Sequence, residues 1–448
     1  MKSKIKSLSA AVALTAVPHF VSAVTIDYWQ MQTQSDRLQT VQMLADTFEA
    51  LNPGISVNVV AVDDNDITTQ VAAAAASNTL PDLISTASDN ILAFAQEGII
   101  DKQASTDIIK AVGEDRFFKG PLAMLTDSED GSYWGVPYFG WIQGIWYRAD
   151  WFAEAGLEPP TTWNNILKAA KHFHNPQDNK YGILIGTQSD DFSQQVFSQF
   201  ALSNGALLID KNGELAFNSP EMKEAIEYYK QLSQYTPAGP QSWRARDYYL
   251  QGRLAMMFYS TYIMDDLALA EAAAESLGGK NFSELQDGVF DPELANNTKL
   301  APVIRNKSEA GFGSVDSFAV IKNEDKQKVE ATKKFAEFLF DPYAYVTYLH
   351  LAPGGHNPML RDIAQSEEYM NDPMGIFRSY GEESIKQILD GFDNTKSFTV
   401  VDGTLQEDAG SIISKQLLPR LTYQVIFENR DVDQAMLWAE NEMKKSLK

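Results

Sequence analysis

The chain predicts an α/β protein of two lobes, and three observations carry that expectation. At 448 residues it exceeds one ordinary domain, so two lobes of about 150–250 residues each are expected. Its first hundred residues read strand, helix, strand, helix, strand, the order of a parallel sheet with crossover helices. An aromatic-rich extended segment at 131–160 then interrupts that order, offering a place for one lobe to pass into the other and expose rings to a cleft.

Thr25 to Trp29 is the first predicted strand. After a polar loop, Leu38, Val41, Ala45 and Phe48 share one helical face, and Asn52-Pro53-Gly54 stops that helix. Ile55 to Val62 alternates as a second strand, Ile67 to Ala76 is an Ala-rich helix, and Leu80 to Ser85 is a short buried strand. Asp89 begins the next helix, closed by Gly98. Ligands of open α/β sheets bind beyond the carboxyl ends of the strands, which places residues 29–34, 63–66 and 85–90 along one rim.

In the middle segment Pro137 has no amide donor and pushes Val136 to extended geometry. Ile145 to Arg148 reads as a strand. Asp150 reads as the cap of a short helix ending at Gly156, and Pro159-Pro160 forbids its continuation. The segment holds Trp134, Trp141, Trp146 and Trp151, four of the eight tryptophans. Indole and phenol rings suit the apolar faces of sugar rings, although packing in the core is the commoner use of any one ring. Further on, Thr162 caps a helix whose face is Trp163, Ile166, Leu167, Ala170 and Phe173. Residues 182–185, 255–259, 299–304 and 317–321 read as strands, and 191–202, 221–235 and 329–339 as helices. The remainder is mostly helical, with no internal repeat.

The N-terminus has the form of a secretory signal peptide over residues 1–23. Lys2, Lys4 and Lys6 precede the apolar run Leu8 to Val17, and Val21-Ser22-Ala23 is a small-residue cleavage site. The run is too short to span a bilayer. Its removal takes three lysines and no acids, leaving 34 basic and 60 acidic residues and a formal charge of −26. So acidic a balance argues against nucleic acid and anionic membrane as partners, because phosphate binding needs a basic surface. With no cysteine, disulfides, thiolate metal sites and a lipidated N-terminal cysteine are excluded. The expected product is periplasmic, free of a lipid anchor or membrane insertion, and monomeric.

No Ser/His/Asp spacing, Gly-rich phosphate loop or His-Glu-x-x-His helix occurs, so no catalytic residue, cofactor or metal is expected. Asp63-Asp64 and Asp190-Asp191 read as chance neighbours among sixty acids rather than a glycosidase pair. The 63–66 acidic cluster lacks the glycine turn and distal Glu of a calcium loop. Tyr228-Tyr229 and Tyr248-Tyr249, a pairing that holds iron in some binding proteins, sit in helical patterns and read as core.

Six blocks in order resemble the family 1 extracellular solute-binding proteins, which deliver ligands to ABC importers, and especially their maltose-type carbohydrate binders. They are Pro81 to Ile84 with Asp89, Phe94, Gly98 and Ile99; Tyr133 to Tyr138 with Trp146 to Asp150; Ala155 to Leu157 with Pro160 to Trp163; Gly252 to Met256; Gly313 to Val320; and Lys333 to Leu339. The resemblance covers nearly the whole chain after residue 23. It implies two lobes, each a mostly parallel sheet flanked by helices, joined by hinge strands and closing on a ligand. The first lobe would be 24–138 with 299–342, and the second 139–298 with 343–448.

By the same resemblance Asp89 lies where maltose-type binders place a carboxylate on sugar hydroxyls, flanked by Thr86 and Asn90. Such a carboxylate accepts strong hydrogen bonds that offset its desolvation; a helix-cap role is the alternative. Trp141 follows the hinge at a ligand-facing position where maltose binders have an acid. Tyr262 falls where a stacking aromatic follows the Gly-x-x-Ala-Met strand, and Asp316 precedes the strand that begins at Ser317. Thr86 replaces an aromatic, which argues against maltose itself. Trp29, Gln30, Gln32 and Thr33, with Asp63 and Asp64, complete the first-lobe rim. Phe139, Phe192, Gln195 and His356 are the second-lobe candidates.

The function these readings imply is capture of a mono- to oligosaccharide and its delivery to an ABC permease at the inner membrane, with no bond made or broken. Two rival readings stand beside it. One is a binder of a cationic solute such as a polyamine, using Asp89, Asp63 or Asp316 with aromatic walls. The other is a secreted polysaccharide-active enzyme.

Overall fold

The computed structural model describes residues 24–447, apart from 65, 128, 286–287 and 402–403. The predicted signal segment lies outside the described residues, as does Asn65 of the acidic loop. Ten strands join in one sheet: β1 (Val24–Gln30), β2 (Ile55–Ala61), β3 (Leu83–Ala87), β4 (Val136–Arg148), β5 (Tyr181–Leu184), β6 (Leu254–Ser260), β7 (Thr298–Ala301), β8 (Val303–Arg305), β9 (Glu309–Val320) and β10 (Asn357–Pro358). Their order is β2-β1-β3-β9-β4-β6-β5, with β7 and β10 also paired to β4 and β8 to β9.

Parallel pairing joins β1 to β2 and β3, as the opening strand–helix alternation predicts, and joins β5 to β6. The two long strands β4 and β9 instead pair antiparallel with every neighbour. The second half is therefore more antiparallel than the resemblance implies. A parallel pair needs a crossover connection, whereas β4 and β9 carry the chain from one half to the other and back.

The crossing can be followed residue by residue. Val136 and Pro137 pair with Phe318 and Ser317, Gly140 to Gln143 with Val315 to Phe312, and a register shift falls between Pro137 and Phe139. The far end of β4 then pairs with β6 on one side and β7 on the other. Residues 299–305, grouped with the first lobe by resemblance, lie beside the second half. There β7 pairs with 145–148, and the amides of Asn306 and Ser308 donate to the Ser203 carbonyl at 3.2 and 2.9 Å.

Sequence reading found only the last part of β9, because Gly311 and Gly313 mark breaks in a strand pattern. In the fold they mark close backbone approach. A Cβ at Gly313 would sit 2.6 Å from the Trp141 carbonyl oxygen, and one at Gly140 2.5 Å from that of Ser314.

Two apolar clusters flank the sheet. The smaller includes Val62, Ile67, Val71, Ile84, Ile91 and Leu125, with Trp29 and Trp134 packed against it. In the larger, helix Lys326–Phe338 sets Phe335 edge-on to Tyr28 and Phe48, with ring centroids 5.4 and 5.1 Å away. The predicted cap at Thr162 forms, its hydroxyl accepting the Asn165 amide at 3.2 Å. The predicted cap at Asp150 does not: that carboxylate takes the Arg148 guanidinium at 2.6 and 3.0 Å, and Arg148 itself occupies the cap position.

Gly144 lies where β4 is flanked by both β6 and β7, and its Cβ would come within 2.4 Å of the Ala301 carbonyl oxygen. Gly144→Ala is expected to destabilise the protein by about 1–3 kcal/mol, the usual cost of overpacking. Urea denaturation would check this, and an unchanged midpoint would contradict the close approach.

Candidate functional site

Three linked cavities form the cleft, the first and third between the halves and the second beside the first within the second half. The first, about 250 Å³, is bounded by Asp89 and Met124, by Trp141, by Gln194 and Gln195, by Phe312 to Val315 of β9, and by Lys396 to Phe398. The second, about 350 Å³, is walled by Trp141, Gln143, Phe192, Gln195, Trp243, Tyr259 and Tyr262. The third, about 430 Å³, lies between helices Ser88–Gln96 and Glu407–Ile413 and shares Asp89 and Ile413 with the first. Trp141, Asp191 and Gln195 belong to both the first and the second.

The first-half wall is set by the start of helix Ser88–Gln96. The Ser88 hydroxyl donates to the Val315 carbonyl at 2.8 Å and lies 2.9 Å from the Ser317 hydroxyl, which pins the helix to β9. Ala87 takes the cap position, so Asp89 stands in the first turn and makes no cap bond. Its side chain keeps an exposed surface in the cleft. The surrounding protein nevertheless raises its pKa by desolvation, against a hydrogen bond from Thr399 that lowers it.

Behind this wall the predicted rim is tied together. The buried Thr86 hydroxyl lies 3.3 Å from an Asp64 carboxylate oxygen and accepts the Asn90 amide at 2.9 Å. Desolvation raises the pKa of Asp64, with the charge of Asp63 adding to it.

The second-half wall comes mainly from helix Asp191–Ser203. Asp190 caps it by accepting the Ser193 amide at 2.9 Å, which aims Asp191, Gln194 and Gln195 at the cleft. On β4, Trp141 and Gln143 are two residues apart and so share a face of the strand. Tyr262 stands over Gly355, where a Cβ would lie 2.0 Å from its ring. Beneath it Asp316 is 6 % exposed; burial, reinforced by Asp64, pushes its carboxyl up to about 8.

Six of the predicted residues line the cavities: Asp89, Asn90, Trp141, Phe192, Gln195 and Tyr262. The others lie behind or beside them. Trp29 packs on the smaller core cluster, while Thr33 and Asp63 are exposed at the rim. The Gln30 side chain closes a turn, its Oε1 accepting the Gln32 backbone N–H at 2.6 Å, and Gln32 Nε2 reaches the Tyr348 hydroxyl at 3.3 Å. Phe139 and His356 are buried against each other, 4.3 Å between centroids. Burial and then the Arg37 charge hold His356 down to about 3, so its ring is neutral.

Sequence reading missed Gln143, Gln194, Trp243 and Lys396. Strand alternation from Trp141 points to Gln143, and Trp243 in Ser-Trp-Arg-Ala-Arg is a large ring among polar neighbours. Nothing in the local pattern marks residues 396–399, which reach the site from far along the chain.

Residues 33–345 match the bacterial extracellular solute-binding protein family, and the chain belongs to it. It is 28 % identical over 438 residues, 96 % of each chain, to YcjN of Escherichia coli K12, which carries the provisional name of an ABC transporter periplasmic-binding protein. It is 22 % identical over 351 residues to the maltotriose-binding protein of Pyrococcus abyssi, covering 76 % of this chain and 68 % of that one. The sugar-binding protein MalE of Xanthomonas citri shares its fold, with a TM-score of 0.73 at 19 % identity, over 95 % of this chain and 97 % of the other. The protein is therefore a two-lobed solute-binding protein of the ABC transporter class, a family of binders rather than enzymes and periplasmic in bacteria. Among the described residues no helix is long and apolar enough to cross a membrane.

Asp316 makes stability depend on pH. Its folded pKa of about 8 exceeds the ordinary carboxyl value of about 4. Between those values the folded protein holds a proton that the unfolded chain releases, so this group's contribution to stability falls as pH rises from about 4 to about 8. Asp316→Asn is expected to raise the Tm by several degrees near pH 8 and to change it little near pH 4. Melting curves across that range would check it, and an unaltered slope would contradict it.

Proposed function

We propose that this protein is the substrate-binding component of an ABC sugar importer, capturing a mono- to oligosaccharide between its lobes and handing it to the permease. The observation that carries this reading is the composition of the cleft: Trp141, Trp243 and Tyr262 offer partly exposed rings beside Asp89, Gln194 and Gln195. Rings cover the apolar faces of a sugar, while carboxylate and amide groups take its hydroxyls. Relatives named for maltotriose, lactose and mannitol support a hydroxyl-rich guest. Lys396 in the first cavity, beside Asp89 and Asp191, counts against a cationic guest there.

The two lobes divide along β4 and β9, near the register shift after Pro137 and within Gly313 to Ser317. A ligand touching both sides stabilises the closed arrangement by its differential affinity for it. The protein works as a periplasmic monomer released from its signal peptide, and the closed, liganded form is what the permease receives.

A thermal-shift screen of the purified protein against sugars, polyols and polyamines tests this reading. A cognate sugar at about 100 times its Kd stabilises by about 2.7 kcal/mol. Asp89→Asn and Trp141→Ala are each expected to weaken it at least about tenfold, about 1.4 kcal/mol, in calorimetry. A shift with putrescine and none with any sugar would overturn the proposal, as would turnover of the sugar.

A further inference from the structure

The partition of the cleft carries a statement about the size of the guest. Trp141 stands between the first and second cavities, and Asp191 and Gln195, one helical turn apart on helix Asp191–Ser203, extend the partition. At about 250 Å³ the first cavity falls below the usual range of ligand pockets, about 300–1,000 Å³, whereas the linked pair lies within it.

Each side of Trp141 also holds a polar atom without a partner among the described residues. Gln194, which lines the first cavity, buries its Oε1 on a side chain 9 % exposed, and Gln143, which lines the second, buries its Nε2 on one 1 % exposed. A buried amide group left unpaired destabilises the fold that holds it.

The second cavity has a ring platform of its own. Trp243 is 41 % exposed and Tyr262 37 %. The Arg246 guanidinium lies 5.2 Å from the Trp243 ring and 5.5 Å from that of Tyr259, and it donates to the Tyr259 hydroxyl at 2.8 Å. Asp266, 3.4 Å away, holds the guanidinium from behind. A planar cation fixed in this way orders the neighbouring rings before any ligand arrives.

We infer that the cleft takes a ligand of at least two joined sugar rings, one on each side of Trp141, with the second ring seated on Trp243 and Tyr262 and bonded by Gln143. This rests on the carbohydrate reading above and adds chain length to it. A single sugar ring occupies the Asp89 and Gln194 side alone. Arg246 is a positioning residue that acts through Trp243 and Tyr259.

Isothermal titration of the purified chain tests the inference, using glucose, galactose and xylose against maltose, cellobiose, lactose, trehalose and maltotriose. A disaccharide is expected to bind at least about tenfold more tightly than either of its component rings. Trp243→Ala should erase most of that advantage. Gln143→Leu, which removes the unpaired donor, should raise the Tm of the empty protein while weakening the disaccharide, opposite signs that a purely structural role would not produce. Equal Kd values for one ring and two, or an advantage untouched by Trp243→Ala, would overturn the inference. Failure of every sugar, short or long, would instead sink the carbohydrate reading on which it stands.

Discussion

The pairing of β4 with β9 is the constraint on which the rest of the structure depends. These strands carry the chain between the halves, and the same residues form the cleft's inner wall: Trp141 and Gln143 on one strand, Phe312 to Val315 on the other. Glycines at 140 and 313 let the two backbones approach so closely that a methyl group would collide with the partner's carbonyl oxygen. A small change of angle between the strands therefore moves both cleft walls at once. Further ties reinforce the crossing from behind. Asn357 donates to the Gly140 carbonyl at 3.1 Å, and the Tyr345 hydroxyl donates to that of Tyr138.

Around that fixed line the protein keeps polar groups that its own fold leaves poorly satisfied. Buried amide atoms of Gln143 and Gln194 lack partners among the described residues, and Asp316 is buried where its charge is disfavoured. Apolar residues at such places would make a more stable protein. At the cavity-lining Gln143 and Gln194 such groups fit a site whose hydrogen bonds are completed by a guest, while others, such as those of Thr236 and Gln241, lie away from the cleft.

The C-terminal segment shows how far the site departs from its local sequence. Residues 391–399 run between the halves. The Lys119 amide donates to Asp393 at 2.9 Å, the Lys396 amide donates to the Gly311 carbonyl at 3.0 Å, and Thr399 meets Asp89. The segment thus adds Lys396 to Phe398 to a cavity whose other walls lie as far away in the chain as Ala87.

Sequence alone determined what depends on neighbours in the chain. Period-two and period-3.6 patterns, a Thr162 cap and proline stops marked most elements, because hydrophobic spacing and missing donors act within a few residues. The order of strands and helices put the rims of β1 to β3 together, and Thr86 does meet Asp64 and Asn90 there. Tertiary structure decided what depends on approach across space. It made Gly311 and Gly313 part of a continuous strand rather than a break, since backbone contact there leaves no room for a side chain. It also turned Phe139, Gln30 and His356 inward while bringing Trp243, Gln143 and Lys396 to the cleft. Which polar or aromatic group faces a cavity is set by the packing of segments hundreds of residues apart, and no local pattern encodes that.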